Sequence, residues 1–180
     1  MTAPLVYTKP AIALHWLIAL LIFGAFPLGI YLEDLPLSPS KLQILSWHKW
    51  IGVTVLLLAA ARAAWRVTHE IPAPPAGMPA WQVRVASITH GLLYALLFVA
   101  PVSGWLLSSA KGFQTVYFGI LPLPDLVMKS KELSEVLQKV HGASTFIMML
   151  LIIAHVAAAL KHHLVDRDDV MKRMLPGYKK

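Results

Sequence analysis

Eight histidines and no cysteine limit the redox chemistry this 180-residue chain can hold. Without cysteine there is no covalent haem of the CxxCH kind, no thiolate-held iron–sulfur cluster and no disulfide, so any redox centre must be held by imidazole. Four histidines, His15, His48, His141 and His155, fall within apolar runs. The last two lie in HGASTFIMMLLIIAHVAAALKHH, fourteen residues apart with nothing charged between them. On an α-helix that spacing is roughly 21 Å of rise and leaves only about 40° around the axis, so the two share a face at opposite depths.

The elements that must carry them follow from composition. Hydrophobic residues make up 57% of the chain and charged ones 14%, with a mean hydropathy of +0.64, which is membrane composition. Four runs, 11–32, 47–67, 83–108 and 140–161, are long enough for the roughly 20 residues a bilayer requires. They predict one all-α integral membrane domain over 1–180, a bundle of four transmembrane helices with a short tail, 162–180. The first run ends in Tyr31-Leu32-Glu33 with no small-residue cleavage site, so it is expected to stay in the mature protein.

The net charge of +7 does not mark a nucleic-acid binder, because the basic residues sit at helix ends and in the tail. Lys9, Arg62, Arg66, Arg84, Lys161, Arg167, Lys172, Arg173, Lys179 and Lys180 fall on one side; Lys41, Lys49, Lys111, Lys129, Lys131 and Lys139 fall on the other. The positive-inside bias puts both termini in the cytoplasm.

The connections are short. HEIPAPPAGMPA, 69–80, has four prolines and reads as a stiff crossover. KGFQTVYFGILPLPD, from Lys111, mixes aromatics with Gly and Pro and reads as an aromatic belt at headgroup level. KSKELSEVLQK reads as an exposed entry turn to the fourth helix. In the tail, Asp168 or Asp169 can cap a short amphipathic helix burying Val170, Met171, Met174 and Leu175.

Alternating helix direction pairs the histidines by depth: His48 with His141 near the outer side, His15 with His155 near the inner side. Two stacked bis-histidine layers with no other ligands suit two b-type haems, since a low-spin electron-transfer iron takes two axial imidazoles and bundle cores supply them from facing helices. Zinc would usually recruit a carboxylate or cysteine as well. Gly52, one turn from His48, and Gly142, beside His141, leave room for a macrocycle. A lone transmembrane histidine can instead serve as an interhelical hydrogen-bonding residue. His90 also lies in the inner half, as a third candidate ligand, a quinone-site residue or a structural hydrogen bonder. Arg62, fourteen residues after His48, lies on the same face at the inner layer, where a guanidinium would meet a haem propionate or a reduced quinone oxygen, or snorkel with Arg66. His162 and His163 lie near the interface as candidate proton donors or a surface pair, and His69 is expected in solvent.

These residues carry a resemblance. ALHWL around His15, WHKWIG around His48 with Arg62 following, HGLLYALLFVAPVSG from His90, and HGASTFIMMLLIIAHVAAALKHH with its RMLP tail resemble the bacterial cytochrome b561 family, most closely its superoxide oxidase branch, over nearly the full length. The resemblance implies a four-helix protein of the bacterial inner membrane with two haem b groups, His48 and His141 on the outer and His15 and His155 on the inner. It further implies oxidation of superoxide at the periplasmic face and electron delivery to ubiquinone, with protons drawn from the cytoplasm. Lys49 and Lys139, beside the outer histidines, would steer the anionic donor; His90, Arg62, His162 and Lys161 are candidates for quinone contact and proton supply.

The same helical plan resembles the quinone-linked cytochrome b subunits of membrane-bound dehydrogenases and hydrogenases, whose electrons come from a protein redox partner. A histidine-lined metal transporter is a third class. Membrane lipid is the surroundings in every case, and no nucleic acid is expected.

Overall fold

The computed structural model describes residues 6–75 and 77–178; Lys179 and Lys180, counted above for topology, lie outside the described residues. Its four long helices, α1 Lys9–Asp34, α2 Pro39–Thr68, α3 Ala80–Ala110 and α4 Lys131–Lys161, are each long and apolar enough to cross a membrane. With one helix up and the next down, the amino-terminal start and the carboxyl tail share one end of the bundle, the tail end. The 111–130 connection occupies the other, the hairpin end.

Serine side chains cap the first turns of α2 and α4, whereas α1 and α3 begin without a side-chain cap. Pro10 and Pro39 sit in the first turns of α1 and α2, where a missing N–H costs nothing, and the Ser38 hydroxyl accepts from the Lys41 amide at 3.2 Å. The largest departure from the sequence reading is α4. Residues 131–139, expected as an exposed entry turn, are its first turns: the Ser130 hydroxyl accepts from the Leu133 amide, Glu132 lies in the first turn, and Ser134 and Leu137 are buried.

Helix α1 packs along α2, α2 along α3, and α3 most extensively along α4, whereas α4 makes no comparable contact with α1 or α2. His141 and His155 of α4 instead reach toward α2 and α1 through their side chains. Outward-facing apolar side chains are exposed, as lipid-facing groups must be; Leu20 is 70% exposed and Phe23 63%. Inside, Ile18 and Ile22 of α1 and Val55 of α2 form a buried cluster joined by Leu97 of α3 and Ile152 of α4. This apolar layer lies at mid-depth, between the levels of the two histidine layers.

At the hairpin end the chain folds into a two-stranded ribbon, β1 Val116–Tyr117 against β2 Leu121–Pro122, turning through Phe118 and Gly119 at positive φ. It is bolted to α2: Trp50 Nε1 donates to Val116 O at 2.7 Å, Thr54 Oγ1 meets the Tyr117 hydroxyl at 2.8 Å, and Lys49 Nζ donates to Ser108 Oγ and to the Phe113 and Gln114 carbonyls, each at 3.1 Å. The expected non-spanning aromatic segment is thus an ordered lid, held to α2 by these bonds.

At the tail end the expected amphipathic helix does not form. A turn of π-helix, His162–Asp166, stops at Arg167 in the left-handed region, and only a single 3-10 turn, Lys172–Met174, follows before Pro176 and Gly177. Asp168 does cap locally, accepting from the Val170 amide at 2.9 Å, and Val170, Met171, Met174 and Leu175 are half-buried. Tertiary bonds hold this tail: Trp16 Nε1 donates to Met174 O, and Arg173 donates to Ala73 O of the proline crossover.

Because three acceptors converge on one ammonium, Lys49→Met should free the lid while leaving the helices intact. Hydrogen–deuterium exchange of amides 113–123 is expected to rise about tenfold or more, with the helical amides unchanged. Unaltered exchange in that segment would mean the lysine contributes nothing to its order.

Candidate site: two layers of facing imidazoles

At the level of the hairpin end, His48 of α2 and His141 of α4 face each other with ring centres 6.3 Å apart and planes at 87°. Toward the tail end, His15 of α1 and His155 of α4 do the same at 6.2 Å and 75°. A metal–nitrogen bond of about 2.0 Å and roughly 1.1 Å from ring nitrogen to ring centre put two imidazoles trans across one iron with centres about 6.3 Å apart. Both pairs have that separation. A Cβ built at Gly52 or Gly142 would meet nothing within 4 Å, so neither glycine position is crowded beside the pair. The residues present thus fit a bis-imidazole haem in each layer.

The outer pair is held by a repeated device. His48 Nδ1 lies 3.1 Å from Ala25 O of α1, and His141 Nδ1 lies 3.0 Å from Ala100 O of α3. An imidazole whose Nδ1–H donates to a carbonyl presents a bare Nε2 lone pair, the form a metal binds. Four residues past each of these alanines stands a glycine on which the ring rests. A Cβ at Gly29 would come within 3.2 Å of His48 Cε1, and one at Gly104 within 3.0 Å of His141 Cε1. Ser103 adds to the second anchor, its hydroxyl donating to Ala100 O and lying 3.3 Å from His141 Nδ1. Pro27 and Pro101 sit inside the same segments of α1 and α3 without ending either helix. Sequence reasoning missed Gly29 and Gly104; their only signal is recurrence of alanine, proline and glycine within five residues, which says nothing about a neighbouring helix.

The inner pair is less constrained. Neither His15 nor His155 has a ring-nitrogen hydrogen bond among the described residues. A third imidazole, His90 of α3, lies 5.2 Å from His155, nearer than two rings trans across a metal. Arg62 donates to Ala11 O and lies over the Tyr94 ring at 5.9 Å, with Arg66 over the same ring at 5.6 Å.

The remaining candidates separate. Lys49 is half-buried and engaged by the lid, while Lys139 is exposed at the outer end of α4. His162 Nδ1 pairs with Asp168 at 2.6 Å and lies 3.3 Å from Asp166, itself bound to Lys161 at 2.5 Å. His69 is exposed but not free: it stacks on Trp65 at 3.8 Å.

Comparison with known proteins matches this arrangement. The family profile described as Prokaryotic cytochrome b561 matches residues 6–177. Cytochrome b561 homolog 2 of Escherichia coli (strain K12) is 32% identical over 165 residues, covering 91% of this chain and 87% of that protein. Cytochrome b561 homolog 1 of the same organism is 28% identical over 182 residues, 96% of this chain and 98% of the relative. A protein of Yersinia pestis named Probable superoxide oxidase CybB is 26% identical over 174 residues, 94% and 96%. The profile match over residues 6–177 and the 32% identical relative, together with four helices long and apolar enough to span, make this chain a member of the prokaryotic cytochrome b561 family, multi-pass membrane electron-transfer proteins that bind haem b.

Proposed function

We propose that this protein is a superoxide:ubiquinone oxidoreductase of the bacterial inner membrane, with the hairpin end in the periplasm and both termini in the cytoplasm. The observation that carries the electron-transfer part is the pair of facing imidazole layers at 6.3 and 6.2 Å. Likeness to a probable superoxide oxidase over 94% of the chain supports the choice of donor. Overall, two superoxide anions become two dioxygen molecules, and one ubiquinone takes the two electrons and two protons to become ubiquinol.

His48 and His141 would hold the outer haem and His15 and His155 the inner. Each haem supplies one-electron redox chemistry when bound, so a pair matches two one-electron donations to a two-electron acceptor. Ala25 and Ala100 fix the tautomers of the outer ligands, and Gly29 and Gly104 fix how far their rings withdraw from the gap. The mid-depth cluster around Ile18, Ile22 and Val55 keeps water from joining the layers.

Lys139, exposed beside the outer layer, raises the local concentration of an anionic donor. Lys49 adds a fixed positive charge next to His48, but its first duty is the lid. At the inner layer Arg62 is placed for an anionic oxygen, a propionate or a reduced quinone, and His90 offers a polar group to a quinone. His162, linked to Asp166 and Asp168 at the tail surface, can accept a proton there and pass it inward.

The decisive measurement is ubiquinol formation by the purified protein given a superoxide source and ubiquinone. Superoxide-dependent reduction is expected. A haem-loaded protein that reduces ubiquinone only with a dehydrogenase or hydrogenase partner would instead be the b subunit of such a complex. Lys139→Gln should slow haem reduction by superoxide and weaken its salt dependence, leaving reduction by a neutral reductant unchanged.

Ligand assignment is tested by haem content. His48→Ala or His141→Ala should leave only the inner haem, and His15→Ala or His155→Ala only the outer, while His90→Ala keeps both by pyridine haemochrome assay. Loss of a haem in His90→Ala with both retained in His15→Ala would reverse the inner assignment. Gly104→Ala should perturb the outer haem alone, seen as lowered occupancy or a changed low-spin electron paramagnetic resonance signal. Gly52→Ala, with open space around its Cβ, separates the two explanations: if the site tolerates Gly104→Ala but not Gly52→Ala, ring packing is not the constraint.

A further inference from the structure

Arg62 and Arg66 stand one turn apart on α2, and both guanidiniums lie over the ring of Tyr94. Like charges at this spacing repel, and next to hydrocarbon the repulsion is poorly screened. A ring quadrupole offsets only part of an ion's charge. Arg62 gives one N–H to Ala11 O, whereas Arg66 has neither a hydrogen bond nor an ion pair among the described residues. Glu70 lines the same cleft, yet the ion pairs found among the described residues all belong to the tail. Among the described residues, two cations therefore line a cleft with one carboxylate, Glu70, that pairs with neither.

The cleft is a shallow opening between the start of α1, the end of α2 and Tyr94 at the middle of α3. Its walls are amphipathic and firm. Trp65 donates to Thr8 Oγ1 at 2.8 Å and is backed by the stacked His69 ring, with Tyr7 and Tyr94 completing the aromatic lining. Aromatic side chains of this kind mark the headgroup level of a bilayer, and the neighbouring Val67 is 84% exposed, as a lipid-facing residue would be.

We propose that this cleft binds the phosphate of an anionic phospholipid from the leaflet at the tail end. Arg66 and the cleft side of Arg62 donate to the phosphate oxygens, and the aromatic walls cover the glycerol and upper acyl segments. Guanidinium is suited to this because its planar fork matches two oxygens of one phosphate, and basic pockets between transmembrane helices are known takers of anionic headgroups. The lipid would be structural, neutralising the arginine pair and sealing the α1–α2–α3 junction. Nothing in it depends on which histidines hold haem.

The test uses the purified, haem-loaded protein. After delipidation in a neutral detergent, native mass spectrometry should show phosphatidylglycerol rebinding in preference to phosphatidylcholine, and phosphatidylglycerol should raise the unfolding temperature. Arg66→Gln should lower that preference about tenfold, the loss of one charge-assisted contact. Excess inorganic phosphate should not displace the lipid. If Arg66→Gln does not fold, Arg66→Lys carries the test, because it keeps the charge and loses the fork, so the preference should fall without vanishing. Equal retention of the two lipids, an unchanged preference in either variant, or displacement by free phosphate would overturn the proposal. So would a moved haem midpoint potential with lipid binding intact, which would assign Arg66 to a propionate.

Discussion

A carbonyl that accepts from one ring nitrogen of an imidazole fixes the tautomer and leaves the other nitrogen bare, and in a bilayer little water is available to do this instead. At the outer layer these are the Ala25 and Ala100 carbonyls, supplied by α1 and α3 to histidines carried on α2 and α4. Much of the architecture follows. Helices α1 and α3 must lie close enough to touch the rings, so each places a glycine under its histidine, and α1–α2 and α3–α4 become close pairs. The two pairs then meet along α2–α3, and α4 meets α1 and α2 chiefly through the two imidazole pairs and Ile152.

The hairpin end and the tail end are covered differently. At the hairpin end, Lys49, Trp50 and Thr54 hold an ordered ribbon over α2. At the tail end the cover is a segment with little regular structure, fixed by Trp16 of α1 donating to its Met174 carbonyl and by its Arg173 donating to the Ala73 carbonyl of the crossover. The inner imidazoles also have looser surroundings, with a third ring at His90 and two guanidiniums within reach of Tyr94. One end of the molecule is thus built for fixed geometry and the other for several small polar groups that can exchange partners.

The four helices and the depth at which each histidine sits were legible in the sequence, because apolar length and helical rise are properties of a single segment. That His48 meets His141 and His15 meets His155 follows from that register once the helices alternate in direction. What the sequence did not display were interactions between segments. Gly104 supports a residue 37 positions later in the chain, and no local pattern announces that. Lys49 reads as a surface charge until the 111–130 segment returns to cover it. The first turns of α4 were misread for the opposite reason: their polarity suits an exposed turn equally well, and only the Ser130 cap and the burial of Ser134 and Leu137 against the bundle decide for helix.

The layer of Ile18, Ile22, Val55, Leu97 and Ile152 has a consequence beyond packing. An electron tunnels through a few ångströms of saturated hydrocarbon without needing any atom to move, whereas a proton advances only by hopping along a continuous chain of hydrogen-bonded groups. These five apolar side chains offer no such chain, so a proton needed beside one histidine layer would not reach it from the other through them.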